Sequence, residues 1–208
     1  MLIIFDCDGV LVDSEVLSAR ILSQCLAVYD INMDEGECVQ AFQGLTLKSC
    51  YEKIEKLFSL QLPAGFDEEV VLATQRGFDE GLDSVVGVEE LIKELQSRGV
   101  PICVASNGSR KKIKHSLSLV GLEQYFSHCF SVDDVKVGKP DPAMFLHAAK
   151  AMKQSPKDVL VIEDSFAGYQ AAKSAGMRCL VYAPSGKVGF ECEEYFSDMK
   201  DVLPLLGK

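Results

Sequence analysis

No run of consecutive apolar residues approaches the roughly 18 that a membrane-crossing helix needs, and no basic segment precedes the first apolar run. Neither a membrane span nor a secretory leader is expected, and the chain is expected to work in the cytoplasm. Positive charge is short: 21 Lys plus Arg stand against 31 Asp plus Glu, for a net charge of -10. Such a field repels nucleic acid and anionic lipid, so neither is an expected partner. An anionic small molecule would have to be held locally, by a metal ion or a few placed lysines. Eight cysteines occur without a Cys-x-x-Cys pair, which makes free thiols in a reducing compartment the expected state. The three histidines, His115, His128 and His147, form no His-x-x-x-His pattern and read as structural or surface residues. Internal repeats and low-complexity tracts are also missing.

What remains is an ordinary soluble composition, 48% hydrophobic and 25% charged, in 208 residues. That is room for one good-sized domain, or for a domain carrying a smaller insert. The informative stretch is residues 3–14. Ile3, Ile4 and Phe5 read as a strand that stops at Asp6; Cys7, Asp8 and Gly9 follow at once. In an open α/β sheet the chemistry collects beyond the carboxyl ends of the strands, so acids delivered there are candidates for catalysis. One carboxylate can attack as a nucleophile while a second carries a proton for the leaving oxygen. Asp6 and Asp8 fit those roles, although Asp-x-Asp-Gly alone also fits a calcium loop or a plain surface turn. Cys7 lies between them, but no histidine pattern nearby suggests an activating base.

Further along, helices are expected over 15–28, 34–43, 47–60 and 66–82, with Gly44 and the Pro63, Ala64, Gly65 turn as breaks. No strand pattern appears among them, so 15–82 is expected to form an inserted all-helical cap. From Gly87 onward, helices (88–98, 110–120, 142–152, 165–175) alternate with short apolar strands (101–106, 128–132, 159–162, 178–182). Strands apolar throughout imply a parallel sheet covered on both faces. The expected fold is therefore α/β: a Rossmann-like parallel sheet core from 1–14 and 83–208, with helices on both faces, plus the cap.

Three later segments carry polar groups that Asp6 would need. Ser106, Asn107 and Gly108 offer a hydroxyl, an amide and an open turn suited to phosphate oxygens, although Ser109 capping a following helix explains the same residues. Lys139 sits in a loop shaped by Pro140 and Pro142. Glu163 and Asp164 repeat the strand-then-acids pattern, and adjacent acids at a buried strand end imply a hard metal ion with oxygen ligands.

These four pieces, in this order, resemble the haloacid dehalogenase superfamily of phosphohydrolases, and the helical cap after the first motif is similar to its β-phosphoglucomutase-like branch. The resemblance implies that Asp6 is the nucleophile and forms an aspartyl phosphate. Asp8 would be the general acid and then the general base. Ser106 and Lys139 would bind the transferring phosphoryl group, Asn107 and Gly108 would line it, and Mg²⁺ would be held by Asp6, the backbone carbonyl of Asp8 and Asp164, with Glu163 assisting directly or through water. The dehalogenases that name the superfamily lack the second acid, so the presence of Asp8 disfavours halide chemistry. From the cap, Gly44, Lys48 and Arg76 are candidate substrate contacts. The implied activity is hydrolysis of a small phosphorylated sugar or sugar acid by a monomer. Segments around Lys139, His147 and Glu163 are similar to bacterial phosphatases of 6-phosphogluconate. The alternatives are a phosphosugar mutase and a non-catalytic binding module. β-Phosphoglucomutases typically carry a hinge histidine where Ser18 stands here, which disfavours the mutase.

Overall fold

The first strand, β1 (Leu2–Phe5), sits in the middle of the sheet and is buried at every position. The computed structural model describes residues 1–207. Among them, β1 is flanked on one side by β2 (Ile102–Ser106) and β3 (Cys129–Ser131), and on the other by β4 (Val159–Glu163), β5 (Arg178–Tyr182) and β6 (Tyr195–Phe196). The order is β3-β2-β1-β4-β5-β6 and every pairing is parallel. Phe5 pairs with Val104 on β2 and with Ile162 on β4, so the residues that follow β1, β2 and β4 emerge together at one edge.

The two-residue period of a strand divides β1 between two cores. Ile3 and Phe5 pack with Val88, Leu91 and Leu95 of α5 (Val88–Ser97) and with Ile113 and Leu117 of α6 (Arg110–Leu119). Leu2 and Ile4 pack with Met144, Phe145 and Ala148 of α7 (Ala143–Ala151) and with Ala171 and Ala172 of α8 (Phe166–Ser174). Covering both faces is what requires the strands to be apolar throughout. Truncating Phe5, which is fully buried, to Ala removes about 3–5 kcal/mol.

Between β1 and α5 the chain forms α1 (Glu15–Ala27), α2 (Glu35–Phe42), α3 (Leu47–Phe58) and α4 (Phe66–Gly81). These helices bury their own cluster, centred on Leu26, Ile54 and Phe66, which shares none of its buried residues with either sheet core. Phe78, in the last turns of α4, belongs instead to the sheet-side core and seats α4 there. Polar caps set the helix starts: Asp34 and Glu37 form a reciprocal box on α2, and Thr46 caps α3. The structure adds β6 and a short final helix, α9 (Val202–Leu205), to the elements expected from sequence. Two residues are too few for a periodic pattern, and Pro204 inside α9 argues against a helix. No helix of the described residues is long and apolar enough to cross a membrane.

Candidate active site

Asp6 leaves the end of β1 buried, and its Oδ1 accepts from the Cys7 amide at 2.7 Å. Lys139 Nζ lies 3.0 Å from the same oxygen and 2.7 Å from Glu163 Oε1, with 1% of its side chain exposed. The ammonium also sits 4.8 Å from the centre of the Phe145 ring. Burial disfavours a lone ammonium, but Asp6 and Glu163 outweigh it and raise the Lys139 pKa, so the charge stays. Glu163 is fully buried, and its Oε2 accepts from the Asp164 amide at 2.9 Å, the Ser165 amide at 2.8 Å and the Ser165 hydroxyl at 2.9 Å. Burial would raise Glu163, yet Lys139 and these donors hold it below its usual value. Helix α8 begins so close that a Cβ at Gly168 would lie 1.8 Å from Glu163 Oε1. Only glycine fits there.

Asp6 is the opposite case. Burial pushes it up, Lys139 pulls it back, Glu163 and Asp8 push again, and it ends near 8. Asp164, half-buried, is driven well above the usual carboxylate range by burial and then by Glu15, Glu163 and Asp6. Glu15, at the first turn of α1, is raised to about 7 by burial and by Asp8. Gly9 makes this crowding possible: its φ is +71°, and a Cβ would lie 2.1 Å from Asp164 Oδ2. Asp6, Glu163 and Asp164 each offer a carboxylate oxygen within 4.8 Å of the others. An excess of buried negative charge, with hard oxygen donors converging on one point, fits a divalent cation.

Asp8 is held differently. Its Oδ1 accepts from the hydroxyl of buried Ser14 at 2.6 Å, and its Oδ2 faces Lys112 Nζ at 2.7 Å. Burial would raise this carboxyl, but Lys112 and Ser14 outweigh burial and keep it low. Cys7 is buried, and burial followed by Asp8 pushes its thiol well above normal, which removes it as a nucleophile. All eight cysteines are free.

Ser106 ends β2, buried at the same sheet edge, and its Oγ accepts from the Gly108 amide at 3.3 Å. Asn107 ties three segments together. Its Oδ1 accepts from the Lys139 amide at 2.8 Å, and its Nδ2 donates to the carbonyls of Lys139 at 3.2 Å and Gly44 at 3.1 Å. Ser109 does cap α6. Gly44, with φ +72°, lies against Ser165 so tightly that a Cβ would be 2.4 Å from the Ser165 Cβ. The structure thus brings Gly44 to the acids but not Lys48 or Arg76. Lys48 has 86% of its side chain exposed and faces Glu52 at 3.8 Å. Arg76 lines a groove of about 530 Å³ between α1 and α4 with Leu17, Arg20 and Gln24, none of them a motif residue.

Several participants went unmarked by sequence reasoning. The exposed Gln43 donates from Nε2 to Asp164 Oδ2 at 2.7 Å, so the helical segment touches the acid cluster directly. Lys112 carried only a weak signal, standing three residues past the Ser109 cap. Ser14 closes the stretch 3–14 and Glu15 follows it immediately, and that adjacency was their available clue. None of the histidines is at the site: His115 Nε2 lies 2.8 Å from Asp79, while His128, beside Ser127, and His147, edge-on to Phe130, are exposed.

Comparison with known proteins gives the family. The family model for haloacid dehalogenase-like hydrolases matches residues 1–176. The chain is 34% identical over 182 residues to 6-phosphogluconate phosphatase of Escherichia coli (strain K12), an alignment covering 86% of this chain and 81% of that one. It is 32% identical over 180 residues to the phosphorylated carbohydrates phosphatase of Thermotoga maritima, covering 84% and 81%. Among solved structures, a haloacid dehalogenase-like protein of unknown function from Agrobacterium tumefaciens superposes with a TM-score of 0.83 at 31% identity, over 99% of this chain and 97% of that one. With the family model running from before the first motif to beyond the last, this chain belongs to the haloacid dehalogenase-like hydrolases.

Proposed function

We propose that the chain is a Mg²⁺-dependent phosphatase of a small phosphorylated sugar or sugar acid, with 6-phosphogluconate the first compound to test. The observation that carries the reading is the buried Lys139 joined to both Asp6 and Glu163, beside Asp8 and Asp164 at one sheet edge. A lysine at that point fixes Asp6 and presents positive charge where phosphoryl oxygens would gather, and phosphoryl transfer depends mostly on such positioning and charge. The two phosphatase relatives, named for 6-phosphogluconate and for phosphorylated carbohydrates, support the substrate class.

In this reading Asp6 attacks phosphorus, and the new P–O bond forms as the bond to the leaving oxygen breaks. Asp8, which takes up a proton as the phosphate anion comes to sit beside it, gives that proton to the leaving oxygen. Asp8 then takes a proton from water, which attacks the aspartyl phosphate, freeing inorganic phosphate and restoring the Asp6 carboxylate. Ser106 and Lys139 hold the phosphoryl oxygens. Asp6, Asp164 and the carbonyl of Asp8 would hold Mg²⁺, with Glu163 steadying the set from behind because its oxygens already accept Lys139 and the Ser165 donors. A bound Mg²⁺ would neutralise the carboxylates and the phosphoryl charge. Residues 15–82 would act as the cap, bringing Gln43 and Gly44 over the site and excluding water.

A panel of phosphorylated metabolites assayed for phosphate release with Mg²⁺ tests the proposal. Release from sugar or sugar-acid phosphates is expected. Release from none of them, or conversion of β-glucose 1-phosphate to glucose 6-phosphate faster than to free phosphate, would overturn it.

A further inference from the structure

One cation at the site has no part in the mechanism above. Lys112, on the first turn of α6, reaches past Gly108, where its Cδ lies 3.4 Å from the position a Cβ would take, and ends 2.7 Å from Asp8 Oδ2. Ser14 occupies the other oxygen, so both oxygens of this carboxylate are held and its direction is set by partners outside the first motif's turn. The same ammonium lies 5.5 Å from the centre of the Phe78 ring on α4. One turn further along α6, His115 meets Asp79, the next residue of α4. Lys112 therefore touches both the sheet-side acid and the last helix of the inserted segment.

We propose that Lys112 is a positioning residue that aims the Asp8 carboxyl at the leaving oxygen, and that its own placement depends on the seat of α4 through Phe78. The inference rests on the reading of Asp8 as proton donor. An ammonium fixed at one end by a ring face and at the other by a carboxylate transmits a shift of α4 to Asp8. No other cation among the described residues is paired with Asp8, and without Lys112 the carboxyl keeps Ser14 alone.

The test uses the leaving group. A sugar alcohol leaves slowly unless it is protonated, whereas p-nitrophenolate is a stable anion and departs without a proton. The constant kcat/KM reports the steps up to and including departure. It is measured with Mg²⁺ on gluconate 6-phosphate and on p-nitrophenyl phosphate for the wild type, Lys112→Met, Lys112→Arg and Phe78→Leu. Lys112→Met should lose about ten- to a hundredfold on the sugar ester and several-fold less on the aryl ester, the pattern of misdirected general-acid catalysis. Lys112→Arg should recover most of the loss, and Phe78→Leu should move the ratio of the two constants the same way by a smaller factor. Equal losses on both esters, or no loss, would overturn the role of Lys112. An unchanged ratio in Phe78→Leu would overturn the link to α4. A wild-type enzyme that releases phosphate neither from p-nitrophenyl phosphate nor from any sugar or sugar-acid phosphate of the panel would overturn the phosphatase reading itself, and this inference with it.

Discussion

The sheet edge and the helical segment treat their charged residues in opposite ways. At the edge, Lys139 and Glu163 expose 1% and 0% of their side chains, and each meets several partners at fixed distances. On the helices, Lys48 exposes 86%, and Arg20 and Glu35 pair in the open. The two regions are joined near the acids by single bonds, Gln43 to Asp164 and Asn107 to Gly44. A buried network fixes one geometry because breaking any member leaves a charge without a partner, while an exposed pair contributes little and moves freely. The acids at the sheet edge are held in one geometry, while the charges on the helices are solvated and loosely constrained.

The sharpest way to break this contrast is at the nucleophile. Asp6→Asn keeps the size of the side chain and removes its charge, so turnover should fall by several orders of magnitude while circular dichroism stays native. Activity within tenfold of wild type, roughly 1.4 kcal/mol of barrier, would remove Asp6 from the covalent role. Next comes Lys139→Met, which strands Glu163 and Asp6 in the interior. Denaturant melts should show a loss of about 3–5 kcal/mol, where an exposed lysine would lose almost nothing.

A third prediction concerns pH. Asp6 rises from 3.8 to about 8 and Glu15 from 4.5 to about 7. Between the unfolded and folded values the folded chain binds more protons, so stability should fall as pH rises through that window. Mg²⁺ should therefore raise the melting temperature more at pH 8 than at pH 5. An equal rise at both would separate the acid cluster from metal binding.

Asn107→Ala tests the join between the regions. It leaves the Lys139 amide without its acceptor and frees Gly44, and we expect a loss of about 1–3 kcal/mol with a higher KM. The smallest effects belong to the exposed cations. Lys48→Ala and Arg76→Ala should each change kcat/KM by about twofold at most, and a larger change confined to the sugar substrate would show that the helices bring them over the site during turnover.

The same contrast explains what was legible in the sequence. Asp6, Asp8, Glu163 and Asp164 stand at strand ends, where an apolar run stops on an acid, and such a boundary is local and visible. Lys139 was marked by its prolines. Gln43 and Lys112 were opaque because their partners lie 121 and 104 residues away along the chain, and a polar residue on a helix looks alike whether it meets solvent or an acid. Arg76 shows the same opacity from the other side: a basic residue on the helical segment suggests a substrate contact, and here it lines a groove between α1 and α4. Strand β6 escaped because two residues carry no period, and its place is set by the neighbouring Val181 and Tyr182 of β5.

The central place of β1 has a consequence for how the molecule opens. The strand is hydrogen-bonded on both sides, and the Asp6 amide itself donates to the Ile162 carbonyl at 2.9 Å. Amides so placed exchange with solvent only when the whole sheet comes apart, whereas a four-helix segment with its own small core can fray by itself. Thermal fluctuations that melt the helices would then uncover Asp6 without displacing it, while Asp8, tied through Lys112 to Phe78 of α4, would lose part of its support, so the nucleophile and the proton donor would fail in separate events.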